Sequence, residues 1–282
     1  MADRTEKPGF CSVGETIKVA RATPHFWEEP CLSGTKGSGT VFFSGCNLGC
    51  VFCQNYQLSH DAFGIEISEK QLMKTFDLLV EKGVHNINLV TPTHYAPMLA
   101  RVLKKYESPV PVIWNSSGYE KAETLKSLEG LVDIYLPDIK YFDDAPALKY
   151  SGAVNYFEYA SAAVLEMFRQ VGTIKTDKNG IAESGLIIRH MVLPGNISQA
   201  VKIFEWVKQN LPAETYISIM RQYVPFGKAT EMPPINRRLS SREYSIVKGK
   251  ILALGFENCY FQSGEAAEES FIPNFDLEGV DL

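Results

Sequence analysis

Cys46-Asn47-Leu48-Gly49-Cys50-Val51-Phe52-Cys53 sets three cysteines at x3 and x2 spacing, straight after the apolar run Val41-Phe42-Phe43. The run reads as a buried strand, and Ser44-Gly45 gives it a tight exit into the cysteine loop. Gly45 and Gly49 suit a loop whose backbone must come close to an inorganic group and offer it N–H donors. Three thiolates can hold three irons of a cubane [4Fe–4S] cluster. An electron-transfer cluster normally takes four, so here the fourth iron is open to a small molecule. The competing reading is a structural zinc knuckle, which asks for a fourth Cys or His at short range. His60 is the nearest candidate for it.

Beyond the loop the chain alternates between helix-like and strand-like segments. Ser68-x-x-Gln71 is a capping box ahead of Leu72, Phe76, Leu79 and Val80 at helical spacing, with Gly83 as the stop. Strands are expected over 86–90, 110–114, 132–136, 186–193 and 216–219, with one more over 258–262. Helices are expected over 96–106, 121–128, 156–170 and 199–209, and a second capping box, Ser240-x-x-Glu243, starts another that ends near Gly255. Such alternation implies parallel strands joined by crossover helices, an α/β fold. Functional residues then belong at the C-terminal ends of strands, where the cysteine loop already sits.

With this spacing and context, the chain resembles the radical S-adenosylmethionine superfamily. More narrowly, from about Gly9 to Leu254, it resembles the activating enzymes of glycyl-radical enzymes, the pyruvate formate-lyase activase-like group. Asp138-Ile139-Lys140 is similar to their Asp-x-Lys motif. Asn115-Ser116-Ser117-Gly118-Tyr119 takes the place of their Asp-Thr-Asn-Gly-Phe stretch. Arg189-His190-Met191-Val192-Leu193-Pro194-Gly195 resembles their Arg-His-x-x-x-Pro-Gly segment.

The resemblance implies a partial (β/α)6 barrel over 37–262, with an N-terminal extension over 1–36 and an acidic C-terminal tail over 263–282, expected to pack loosely. It implies a [4Fe–4S] cluster on Cys46, Cys50 and Cys53, with S-adenosylmethionine chelating the open iron. Phe52, Gln54, Thr93, Asn115, Asp138, Lys140 and His190 are the implied cofactor-binding residues. The implied reaction passes one electron to the sulfonium, breaks the C5′–S bond and lets the 5′-deoxyadenosyl radical take hydrogen from a substrate carbon. A one-electron donor such as flavodoxin or ferredoxin and a glycyl-radical enzyme are the implied partners. Two other readings stay open: a radical enzyme acting on a small molecule or peptide side chain, and a non-catalytic iron–sulfur or zinc protein.

Departures from the group's pattern bear on the substrate. Thr91-Pro92-Thr93-His94-Tyr95 stands where the superfamily commonly carries Gly-Gly-Glu-Pro, so backbone carbonyls, threonine or His94 must take over the acid's hydrogen bonds. Asn115 replaces an aspartate that some activases use for a monovalent cation, and no cation is assumed here. Asp138 beside Lys140 also fits a plain surface ion pair, worth at most about 1 kcal/mol. Period-2 spacing nevertheless puts both on one face of a strand end. His190 in an apolar strand also fits an ordinary core histidine.

Composition sets the outer bounds. A net charge of −5 gives no support to nucleic-acid binding, and six cysteines, three of them in one motif, are too few for a disulfide scaffold. No apolar run reaches the length of a membrane span, and no signal peptide opens the sequence, so a cytoplasmic protein is expected. Gly34-Thr35-Lys36-Gly37-Ser38-Gly39-Thr40 lacks the Walker spacing and is expected as a flexible loop. Arg237, Arg238 and Arg242 read as solvated charge, and Cys259 as a buried hydrophobe. Cys11 and Cys31 resemble the end of a cysteine-bearing N-terminal segment in relatives. They are expected as free thiols with no complete second metal site.

Overall fold

The computed structural model describes residues 9–195, 197–262 and 275–280. In chain order, β1 (Ile17–His25), α1 (Pro30–Ser33) and β2 (Ser38–Phe43) lead into the cysteine loop. They are followed by α2 (Tyr56–Ser59), β3 (Ile65–Ile67), α3 (Glu69–Glu81), β4 (Ile87–Val90), α4 (Ala96–Leu103) and β5 (Val112–Ser116). Then come α5 (Ala122–Lys126), β6 (Ile134–Pro137), α6 (Asp144–Ser151), α7 (Tyr156–Val171), β7 (Lys175–Thr176) and β8 (Ala182–Met191). The last elements are α8 (Ile197–Asn210), β9 (Tyr216–Met220), α9 (Ser241–Ala253) and β10 (Cys259–Phe261).

The sheet runs β10-β9-β8-β6-β5-β4-β2-β1-β3, with the short β7 antiparallel on β8. From β2 to β10 every neighbouring pair along this path is parallel. β1 and β3 close the other end antiparallel. The α/β fold expected from the alternation is therefore the one adopted. β2, β4, β5, β6, β8 and β9 are the six strands of the expected units, and β10 adds a parallel seventh.

The sheet's two faces carry different chemistry because strand side chains alternate. On one face Trp114, Tyr135, Leu186, Ile188, Ile217 and Ile219 pack in the large core beneath the helices. On the other, Cys31 and Leu32 of α1 meet Ile113, Ile134, Leu136, Ala182 and Ile187, with Tyr216 and Tyr260 at the edge. A four-residue helix reaches side chains of five strands only if the sheet curves around it. α1 thus plugs the concave side. It does so at the N-terminal ends of the strands, since the Asn86 amide donates to Leu32 O and a Cβ on Gly34 would meet His85 and Ile181.

Both capping boxes form, Ser68 with Gln71 and Ser240 with Glu243. Several expectations need correction. Residues 34–37 alone form the loop before β2, because Ser38–Thr40 already belong to the strand. Arg237 is paired with Glu243 at 2.8 Å rather than simply solvated, and Cys259 is half-buried. Residues 263–274 and 281–282 of the tail lie outside the described residues. Its 275–280 stretch does not pack loosely: Leu277 N donates to Ala20 O, Ala22 N donates to Glu278 O, and Val280 is buried. Phe275 meets Phe42 edge-on, while Arg21 pairs with Asp276 and Glu278. No helix among the described residues is long and apolar enough to cross a membrane.

Candidate active site

The cysteine loop leaves the C-terminal end of β2 and is held from several sides by backbone bonds. Gly49 N donates to Ser151 O and Val51 N to Tyr150 O, both at 2.9 Å, so the end of α6 lies along it. Gly45 N donates to Leu58 O, and the His94 Nε2–H donates to Ser44 O at 2.8 Å. Asn47 Nδ2 reaches Tyr119 O at 2.6 Å, and Gln54 Nε2 reaches Gln222 O at 3.1 Å. Phe52 is buried edge-on against Tyr223. Gly45 has φ +82, and a Cβ there would stand 2.4 Å from Cys11 O, so only glycine lets the loop pass.

Two of the three thiols also accept a hydrogen bond of their own. Leu48 N–H points at Cys46 Sγ (3.4 Å), and the Ser151 hydroxyl points at Cys50 Sγ (2.9 Å) while also bonding the Tyr141 hydroxyl at 2.7 Å. Burial raises the Cys53 thiol, opposed by the nearby Ser59 hydroxyl and the Asn55 backbone. Burial, and then repulsion from its two neighbours, pushes the Cys46 thiol up to about 12; burial pushes Cys50 up to about 11, with the Lys140 charge opposing it. Three desolvated thiols with N–H and O–H donors aimed at their sulfurs need a cation to hold them as thiolates. Among the described residues no three His, Cys, Asp or Glu side chains are arranged to hold a single ion. A cubane places its thiolates on separate irons, so this donor set suits a cluster better than zinc.

Beside the loop, the ends of β5, β6 and β8 carry a buried charge network. Lys140 Nζ donates to Asp138 Oδ2 at 2.6 Å, and Arg189 Nε donates to Asp138 Oδ1 at 2.9 Å. Arg189 Nη1 reaches Glu28 Oε2 at 3.0 Å, and Nη2 reaches Asn115 Oδ1 at 2.6 Å. The side chains of Lys140 and Asp138 are only 18% and 16% exposed, so this is no surface pair. Burial alone would raise the Asp138 carboxyl, but the Lys140 and Arg189 charges outweigh it and hold it below the usual range. Burial would likewise lower Lys140, and the charges of Asp138 and Cys50 hold it above its usual range. The Tyr156 hydroxyl fixes the backbone here, lying 2.9 Å from both Lys140 N and Asp138 O and 2.7 Å from Ser117 O.

The other expected residues divide. Asn115 joins the network. Thr93 follows β4 and lies near the buried Glu120, which takes bonds from Trp114 Nε1 (2.9 Å) and Ser116 Oγ (2.7 Å). The backbone before it is strained, with Thr91 at φ 60, a region that favours glycine. His190 is not brought into the Asp138–Lys140 group. Strand alternation gives the concave face to Arg189 and turns His190 toward α8, edge-on to Phe204. Its Nδ1–H donates to the backbone oxygen of Ile139, the residue between Asp138 and Lys140, at 2.6 Å. Burial drives its pKa down to about 4, so the ring is neutral.

Sequence reasoning missed Glu28, Glu120, Ser151 and Tyr156, and gave Arg189 no role of its own. Only Glu28 left a signal, an acidic residue in the aromatic, proline-bounded stretch Phe26-Trp27-Glu28-Glu29-Pro30. Cys11 and Cys31 are buried free thiols: Cys11 Sγ lies 3.8 Å from Val13 O, and Cys31 sits in the plug.

The family model of the Radical SAM superfamily matches residues 40–207, more than half of the chain. The uncharacterized protein MJ0674 of Methanocaldococcus jannaschii is 32% identical over 253 residues, spanning 86% of this chain and 68% of that relative. Among solved structures, Streptococcus suis SuiB bound to S-adenosylmethionine matches with a TM-score of 0.52 at 12% identity, over 77% of this chain and 48% of that one. A second SuiB structure matches with the same score and identity, over 78% and 47%. The chain thus spans about half the length of these solved structures, and the likeness at such identity is one of fold. With that match, and with three thiols gathered at the C-terminal end of the first parallel strand, the chain belongs to the radical S-adenosylmethionine superfamily and uses its two cofactors, a [4Fe–4S] cluster and S-adenosylmethionine.

Proposed function

We propose that this chain is an activating enzyme that takes a hydrogen atom from a backbone glycine of a partner glycyl-radical enzyme, with a flavodoxin- or ferredoxin-type protein as its one-electron donor. The observation that carries this reading is the Asp138–Lys140 pair, buried at a strand end, with its ammonium charge felt at Cys50. Bound there, the cluster and S-adenosylmethionine supply a one-electron reductive cleavage that ends in hydrogen abstraction.

The chain's own residues hold and orient. Cys46, Cys50 and Cys53 hold the cluster, with Ser151 and the Leu48 N–H bonding to sulfur. The Asp138 carboxylate holds the Lys140 ammonium still for the polar groups of S-adenosylmethionine. Ser117 supports a polar ligand at this strand end: its buried hydroxyl oxygen finds no hydrogen-bond partner among the described residues. Phe52 and Tyr223 wall the loop's other side against water. Among the described residues the sheet ends in β3 and β10 without closing on itself, an arrangement that suits a macromolecular substrate.

Anaerobic reconstitution is expected to give about four irons and four sulfides per chain, as cubane ligation demands. A stable, colourless protein with one zinc would refute the site. With a glycyl-radical enzyme carrying α-deuterated glycine, deuterium should appear in the 5′-deoxyadenosine released. Cleavage with no deuterium transfer and no radical on the partner would leave the superfamily chemistry standing and overturn the activase reading.

A further inference from the structure

The plug does more than fill the concave side. Phe26–Ser33 lies between β1 and β2, and from it Glu28 projects into the charge network above. Its Oε2 takes Arg189 Nη1 at 3.0 Å, while its Oε1 takes Asn88 Nδ2 at 3.2 Å and Asn115 Nδ2 at 3.4 Å. Glu28 is thus held by three side chains on three strands, β4, β5 and β8. Arg189 is held just as firmly, with Nε, Nη1 and Nη2 each on a different partner.

The charge balance explains why this matters. Arg189 and Lys140 are two buried cations, and Asp138 divides its two oxygens between them. Glu28 supplies the second anion, on the far side of the guanidinium. Without that charge, Asp138 is the carboxylate still hydrogen-bonded to Arg189, Glu29 acting on it by charge alone, and the guanidinium would compete with Lys140 for Asp138. A planar guanidinium prefers both oxygens of such a group, a geometry that a point-like ammonium cannot match. Asp138 would turn toward Arg189, and Lys140 would lose its anchor.

We propose that Glu28 is a positioning residue for the Lys140 ammonium, acting from the plug through Arg189 and Asp138. This rests on the reading that Lys140 faces S-adenosylmethionine, and the test separates the two. Equilibrium binding of S-adenosylmethionine is measured anaerobically on cluster-loaded wild type, Glu28→Gln, Lys140→Ala and the double variant, with iron content recorded for each. Glu28→Gln should weaken binding by about tenfold at unchanged iron content, the scale of loss for outer-shell partners. Lys140→Ala should also weaken it, and adding Glu28→Gln on top should change nothing further.

A residue that merely stabilises the fold would give the same loss in both backgrounds. That result, or unchanged binding in Glu28→Gln, overturns the proposal. Unchanged binding in Lys140→Ala alone overturns the reading of Lys140 instead. Should Glu28→Gln fail to fold, Glu28→Asp keeps the charge but shortens the reach. It is then expected to weaken binding less, again only where Lys140 is present, and no loss in that variant overturns the proposal equally.

Discussion

Ser151→Ala removes one oxygen atom from a fully buried part of the site. Its hydroxyl is fully buried, lies 2.9 Å from Cys50 Sγ and bonds the equally buried Tyr141 hydroxyl at 2.7 Å. The alanine leaves Tyr141 with a desolvated hydroxyl and no partner in that direction, which costs about 1–3 kcal/mol. In a chain of this size that corresponds to a melting temperature lower by about 2–6 °C. Tyr141→Phe alone should cost less, about 1 kcal/mol, because Ser151 keeps its bond to sulfur. The double variant leaves no orphaned hydroxyl at this contact, so it should melt above Ser151→Ala. Thermal melts of the cluster-loaded proteins read this directly. A double variant whose loss is the sum of the two single losses would refute the reasoning. The cluster potential gives an independent check, since hydrogen bonds to sulfur favour the reduced, more negative state. Both variants lacking Ser151 should shift to more negative potential, and Tyr141→Phe should not.

Further outcomes follow from the same geometry. Cys50→Ala should lose the cluster and with it all cleavage of S-adenosylmethionine; iron content and product analysis check this, and persistent cleavage would refute the ligand assignment. His190 is buried neutral, with its folded pKa, about 4, below the usual value of 6.5. The unfolded chain therefore binds the extra proton first. The stability from neutral His190 is complete above pH 6.5 and is lost as pH falls toward 4, by roughly 3 kcal/mol. His190→Asn, whose Nδ2 replaces the Nδ1 donor to Ile139 O, should flatten that part of the pH–melting profile; an identical profile would argue against it. Arg21→Ala should cost under about 1 kcal/mol, since its acidic partners are exposed, yet should make the 275–280 stretch easier to cleave in limited proteolysis.

What was legible in the sequence is what repeats or has local chemistry. The strands announce themselves because a parallel sheet covered on both sides needs continuous apolar runs, and the capping boxes because their donors and acceptors lie three residues apart. The cysteines carry their meaning in their spacing. Asp138 and Lys140 were legible for the same reason, being two residues apart at a strand end. The role of Glu28 was not, although its aromatic, proline-bounded stretch stands out, because its partner Arg189 is 161 residues away and only the fold brings them together. Ser151 and Cys50 meet across 101 residues for the same reason. The tail's acidity suggested a loose end, whereas Asp276 and Glu278 are what tie it to Arg21.

His190 and Arg189 mark where pattern and structure part most clearly. Both lie in the segment that resembles the activases, and a histidine among apolar residues draws attention first. A strand gives adjacent residues opposite faces, so only one of the two can point into the concave side. Leu186 and Ile188 already belong to the helix-facing core, and His190 follows their period; Ile187 belongs to the plug cluster, and Arg189 follows that one. The face is therefore decided by the apolar residues before it. Arg189 then becomes the hub of Asp138, Asn115 and Glu28, while His190 holds the backbone of Ile139 from behind. Asp138 and Lys140 are thus braced twice, through a carboxylate on one face and a carbonyl on the other. The two braces make different demands on pH. The guanidinium stays charged throughout the accessible range, whereas burial keeps the imidazole neutral down to a pKa of about 4. Acid that protonates His190 leaves its Nδ1–H on Ile139 O but puts a charge among the apolar side chains beneath α8, so the site should fail from its helix-facing side first, while the Arg189–Asp138 pair still holds.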